Sequence, residues 1–88
     1  MTDVFKGKIA VVTGGTSGIG YAVSEELLKR GATVWVIGSR KESVEKAKQS
    51  LAAYKMARYA AVDVTIADEV KRMIDTCVIE SGRIDYLF

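Results

Sequence analysis

Apolar residues in this chain follow two spacings that take turns. Ile9-Ala10-Val11-Val12 is a short continuous apolar run, which suits a strand buried on both faces. From 18 to 30 the apolar residues Ile19, Ala22, Val23, Leu27 and Leu28 return at helical intervals, and Gly31 closes the stretch as a C′ residue. Thr33-Val34-Trp35-Val36-Ile37 is a second β-rich run. Ser39-Arg40-Lys41-Glu42 has the form of a capping box, and helical spacing resumes at Val44, Ala47 and Leu51. Tyr59-Ala60-Ala61-Val62 predicts a third strand, and Thr65-Ile66-Ala67-Asp68 a further helix start, with Asp68 in the glutamate place of the box. Val70, Ile74, Cys77 and Val78 line one side of that helix, and Ser81-Gly82 stops it. Residues 84–88 open a fourth strand. The order βαβαβαβ predicts an α/β fold with parallel strands, right-handed crossovers and helices on both faces of the sheet.

Composition narrows the chemistry. The net charge is +2 and the basic residues are scattered, so no dense basic face for nucleic acid is expected. The longest uncharged run, 9–24, is too rich in glycine and hydroxyl residues to span a membrane. The first eight residues lack the apolar centre of a leader, and a cytoplasmic setting is expected. There is no histidine and only one cysteine, Cys77, which excludes histidine bases, disulfides and thiol pairs for metal within these residues. Cys77 and Trp35 both read as packing residues.

The chemistry-bearing segment is Thr13-Gly14-Gly15-Thr16-Ser17-Gly18-Ile19-Gly20, set between the first strand and the first helix. A phosphate close to a backbone needs bare Cα atoms, and the turn itself calls for positive φ. Free N–H groups at the helix start then face the anion, and the helix dipole assists. Hydroxyls of Thr13, Thr16 and Ser17 are candidate neutral donors. The pattern G-x-G-x-x-G is not met, because Val23 stands where its last glycine belongs. No Gly-Lys-Ser/Thr follows, so this is not a Walker loop either.

What is met is T-G-x-x-x-G-x-G, and with it the chain resembles the short-chain dehydrogenase/reductase family. Residues 8–13 resemble that family's first strand, Asp63-Val64-Thr65 its acidic motif after the third strand, and 82–88 the lead into its fourth. The resemblance implies a Rossmann-type doubly wound parallel sheet with strand order 3-2-1-4. It also implies a nicotinamide dinucleotide held by Thr13, Gly14, Thr16, Ser17, Gly18, Ile19 and Gly20, with Asp63 and Val64 at the adenine. At the end of the second strand, relatives that use NAD carry an acid that accepts from the adenosine ribose. This strand runs into Ile37-Gly38-Ser39-Arg40-Lys41, with no carboxylate before Glu42. Arg40 can pair with a 2′-phosphate and Ser39 can donate to it, so NADP is favoured over NAD. Ser17 departs from the basic residue that many NADP-preferring relatives place before the second motif glycine.

The family's catalytic Tyr-x-x-x-Lys pair is missing here: Tyr21, Tyr54 and Tyr59 are followed four positions on by Glu25, Arg58 and Asp63. Its Asn-Asn-Ala-Gly motif would begin at position 89. The chain is therefore expected to be one partial domain, 1–88, the N-terminal third of an enzyme that reduces carbonyls or oxidises alcohols with NADP(H). By itself it would hold cofactor without catalysing, with no catalytic or metal-binding residue of its own. Relatives are commonly homo-oligomers through later helices. Two alternatives are a nucleotide-binding module without chemistry and a fragment that self-associates through open strand edges.

Overall fold

The protein is described over residues 4–88 by a computed structural model. Met1, Thr2 and Asp3, which belong to the segment read as lacking a leader, lie outside the described residues. The elements are β1 (Ile9–Thr13), α1 (Gly18–Lys29), β2 (Thr33–Gly38), α2 (Lys41–Ser50), β3 (Ala57–Ala61), α3 (Ala67–Ser81) and β4 (Tyr86–Leu87). All strand pairings are parallel, in the order β3-β2-β1-β4, with Val11 opposite Trp35 and Trp35 opposite Arg58. The expected strand order 3-2-1-4 is the one observed.

Alternation along β1 and β2 splits the core in two. Ala10, Val12, Val34 and Val36 face Leu27 and Leu28 of α1 and Ala47 and Leu51 at α2. Ile9, Val11, Trp35 and Ile37 point the other way, onto Met73 and Cys77 of α3. A strand whose successive side chains serve opposite layers must be apolar at every position, which is why 9–12 and 34–37 read as unbroken runs. Burial pushes the Cys77 thiol up to about 11, with Glu80 adding to the shift, so it packs as a neutral side chain. Trp35 is buried in the same layer, and its indole N–H donates to Ser81 Oγ at 3.0 Å.

The β1–β4 edge is fastened at its start. Asp85 N–H donates to the Ile9 carbonyl, and Ile9 N–H donates to Asp85 Oδ2, each at 2.8 Å. Arg83 Nε pairs with the same carboxylate at 2.9 Å, while its guanidinium also reaches the Gly7 carbonyl. The Ile9 N–H, followed by Arg83, holds the Asp85 carboxyl below its usual range. Order reversal between β1 and β4 makes their carboxyl ends the topological switch point, where ligands of open α/β sheets bind.

Several local expectations are corrected. The capping box at Ser39 does not form: Arg40 is the N-cap of α2, in extended geometry and without a side-chain cap. Glu42 thus falls at the second helical position, too early to reach back. The box at Thr65 also fails, because Ile66 is the N-cap and the Thr65 hydroxyl is already bonded to Asp63. β3 begins at Ala57 rather than Tyr59. Its Val62 lies just past the strand, where Val62 N–H still donates to the Gly38 carbonyl at 2.8 Å. β4 proper is shorter than residues 84–88, although the Asp85 and Phe88 amides extend its ladder. On α3 the packing face runs through Met73, and Val78 is 43% exposed. On α1, Ser24, Leu27 and Leu28 are buried, whereas Ile19 is 85% exposed.

Candidate functional site

Between β1 and α1 the chain makes a turn that only glycine serves well. Gly14 and Gly18 have φ of +64° and +57°, a region that costs other residues about 1–2 kcal/mol. Gly20 is required for a different reason: a Cβ there would overlap the Gly14 carbonyl. The turn is tied to the sheet by Gly15 N–H, which donates to the Ile37 carbonyl at 2.9 Å. Ser17 is the N-cap of α1, in extended geometry, and its side chain caps nothing. The first intrahelical bond is Tyr21 N–H to the Ser17 carbonyl. The amides of Gly18, Ile19 and Gly20 therefore have no partner within the helix. No acid lies in the first turn of α1, whereas α2 carries Glu42 and α3 carries Asp68 and Glu69 there. The positive end of the α1 dipole is left for an external anion.

Beside this turn runs a cleft of about 320 Å³, lined by Thr13, Gly14, Ile37, Gly38, Ser39, Val62 and Val64. It lies across the carboxyl ends of β1, β2 and β3. Gly38 lets Thr16 and Val44 pack closely against the end of β2, since a Cβ there would come within 2.6 Å of Thr16 Cγ2 and 3.0 Å of a Val44 methyl. Arg40 is exposed one residue beyond Ser39.

The far wall is the segment that joins β3 to α3. Asp63 Oδ1 accepts from Thr65 N–H at 2.9 Å and from Thr65 Oγ1 at 2.6 Å. Those two bonds hold the exposed Asp63 carboxyl below its usual range. Asp63 N–H donates to Glu69 Oε1 at 3.1 Å. Val64 follows with 54% of its surface exposed.

Thr13, Gly14, Ser39 and Val64, expected on sequence grounds, line one cleft. Thr16, Ser17, Gly18, Ile19 and Gly20 follow Gly14 along the turn and are not among its lining, and Arg40 and Asp63 adjoin Ser39 and Val64 in sequence. Thr13 does not serve as a free donor. Its hydroxyl donates to the Phe88 carbonyl at 2.8 Å, so it forms wall. Sequence reasoning missed Gly15, Gly38 and Glu69. A glycine ending a buried strand was the available signal for Gly38. Glu69 carried none, because its bond skips six positions upstream. Among the described residues no group of acids or thiols is placed to hold a metal, and no helix is long and apolar enough to cross a membrane.

A parallel sheet of this order, with a glycine turn leading from its first strand into a helix that lacks a first-turn acid, defines a Rossmann-type nucleotide-binding fold. The family model described as short chain dehydrogenase matches residues 8–88, and the chain belongs to that family. It is 34% identical over 82 residues to zerumbone synthase of Zingiber zerumbet, covering 93% of this chain and 31% of that protein. It is 37% identical over 76 residues to the NADP-dependent (R)-specific alcohol dehydrogenase of Lentilactobacillus kefiri, covering 86% of this chain and 30% of that protein. Among solved structures it resembles the citronellol catabolism dehydrogenase of Pseudomonas aeruginosa PAO1 with TM-score 0.89 and 31% identity. That match covers 99% of this chain and 37% of the other. It resembles an NAD+-bound xylitol dehydrogenase with TM-score 0.89 and 34% identity, covering 97% of this chain and 33% of the other. The chain spans about a third of the length of the curated relatives it matches.

Proposed function

We propose that residues 1–88 form the cofactor-binding part of an oxidoreductase that uses a nicotinamide dinucleotide, with NADP(H) preferred over NAD(H). The observation that carries this is the start of α1. Its unpartnered amides meet no acid of their own, and the space beside Gly18, where a side chain would stand, is open. Such a cradle suits a pyrophosphate. Gly14, Gly18, Ile19 and Gly20 would hold it through backbone, with Thr16 and Ser17 as side-chain donors. Thr13 would shape the wall, and Asp63 and Val64 would border the adenine.

Arg40 and Ser39 would set the preference for NADP. Arg40 is exposed one residue beyond Ser39, and no ion pair among the described residues occupies its guanidinium. It can meet a 2′-phosphate in bidentate fashion. When bound, the dinucleotide supplies or receives a hydride, and the substrate is a small carbonyl compound or alcohol. Proton transfer at that substrate would belong to a Tyr-x-x-x-Lys pair and a Ser in sequence following Phe88. These 88 residues alone would bind cofactor and turn nothing over. Such an enzyme would work in the cytoplasm as a homo-oligomer.

The test is calorimetric titration of NADPH and NADH against the wild type and Arg40→Ala. NADPH affinity is expected to fall about tenfold in the variant, the scale of one charge-assisted hydrogen bond, with NADH affinity unchanged. An unchanged NADPH/NADH ratio would remove Arg40 from the account of specificity.

A further inference from the structure

We infer that Glu69 is a positioning residue for the adenine wall, acting through the backbone of Asp63 rather than by touching the ligand. This rests on the cofactor reading above.

α3 begins without a side-chain cap on its N-cap residue, Ile66. Glu69 is the third residue of that helix, the position from which a capping-box glutamate ordinarily reaches the N-cap amide. Here it reaches further, to Asp63 N–H at 3.1 Å. Asp63 in turn accepts from Thr65 N–H and Oγ1, and its carbonyl accepts from Ile66 N–H at 3.0 Å. One carboxylate on a rigid helix thus fixes the upstream end of a closed loop, and the loop carries Val64 into the cleft. On the other side of Asp63, Val62 N–H is fastened to Gly38 at the cleft floor.

Nothing else competes for the Glu69 carboxylate. The ion pairs among the described residues are Arg30–Glu26 and Arg83–Asp85, and Arg72, which shares a neighbouring cavity with Glu69, forms none. Without Glu69 the Asp63 amide would have no protein acceptor, and the loop would be held by its internal bonds and by the Val62 tether to Gly38. Those bonds fix its shape and its start on the sheet but not its place against α3. Loss of Glu69 should therefore weaken ligands that reach the adenine wall and spare those that end at the glycine turn.

The experiment uses the intact polypeptide that carries this sequence, with Glu69→Ala and Glu69→Gln, and three probes: NADPH, adenosine 2′,5′-bisphosphate and inorganic pyrophosphate. Glu69→Ala should raise the Kd of the two adenosine ligands about fivefold to tenfold, the scale of one net hydrogen bond, and leave pyrophosphate unchanged. Glu69→Gln, whose amide oxygen accepts the same bond, should return both to within about twofold of wild type. Unchanged adenosine affinity in Glu69→Ala overturns the inference, and so does an equal loss for pyrophosphate, which would mark a general loosening. Wild-type protein that binds none of the three overturns the cofactor reading itself. If Glu69→Ala does not fold, Glu69→Asp replaces it: the shorter acid falls short of Asp63, so faster Asp63 amide exchange with weaker adenosine binding supports the inference. Wild-type exchange and affinity contradict it.

Discussion

The two turns that wall the cleft are built from opposite materials. At the start of α1 the geometry is made by backbone: two glycines at positive φ, a third too close to a carbonyl for any side chain, and no acid in the first helical turn. At the start of α3 it is made by side chains: Asp63, Thr65 and Glu69 bond one another and the intervening amides. The first turn leaves its N–H groups open to an anion. The second turn pairs its Asp63, Thr65 and Ile66 amides locally and presents an apolar residue, Val64. On the proposed reading the first turn takes the phosphates and the second borders the adenine, and the difference suits those two roles. Backbone donors are rigid and tolerate no substitution, whereas a side-chain loop can be retuned one residue at a time.

Substitutions in the backbone turn should have the largest effects. Gly20→Ala sets a Cβ against a carbonyl oxygen that cannot move without the strand behind it. It is expected to cost about 3 kcal/mol of stability, the upper end for overpacking, and to abolish dinucleotide binding. Thermal unfolding and a binding titration together check this. Gly14→Ala is the milder counterpart, because space around that Cβ is open and only the φ of +64° opposes it. A loss of about 1–2 kcal/mol is expected, lowering Tm by roughly 4–16 °C in a domain of this size. Equal losses for the two variants would mean that close approach and conformation are not separable at this turn.

The side-chain turn should respond less, and to pH. Hydrogen bonds from Thr65 lower the Asp63 carboxyl below its ordinary value of 3.8. A group lowered on folding favours the folded state above that ordinary value. The contribution is lost as pH falls through the folded value. Thr65→Val removes the hydroxyl donor and should move Asp63 upward in a carboxyl-detected NMR titration. It should leave Asp85, whose carboxyl is held low at the other end of the sheet by Ile9 and Arg83, where it is. Movement of both would show that the two ends are coupled. Asp63 is fully exposed, so the accompanying change in stability should be small.

The same contrast explains what could be read from the sequence. β1 and β2 were legible because strands buried on both faces are apolar throughout, and the glycine turn because its constraints fall on fixed, closely spaced positions. The helix starts were less legible. Ser39 and Thr65 both head sequences with the form of a capping box, yet each helix begins one residue later, at an N-cap without a side-chain bond. At Thr65 a competing local partner, Asp63, takes the hydroxyl. Ile19 fits the apolar periodicity of α1 but is exposed, because the buried face of that helix is made further along, by Ser24, Leu27 and Leu28. Glu69 was invisible because its bond joins a helix to the loop before it, across a spacing that no local pattern marks.

A nicotinamide dinucleotide held at the start of α1 and in the cleft beside it would perturb the backbone amides there. Titration of 15N-labelled protein with NADPH, followed through backbone amide shifts, is expected to give the largest shifts at Gly14 and Gly18 to Gly20, with smaller ones at Ser39, Arg40 and Val64, saturating together. Absence of shifts at the glycine amides, or shifts confined to the α3–β3 side of the sheet, would contradict that placement.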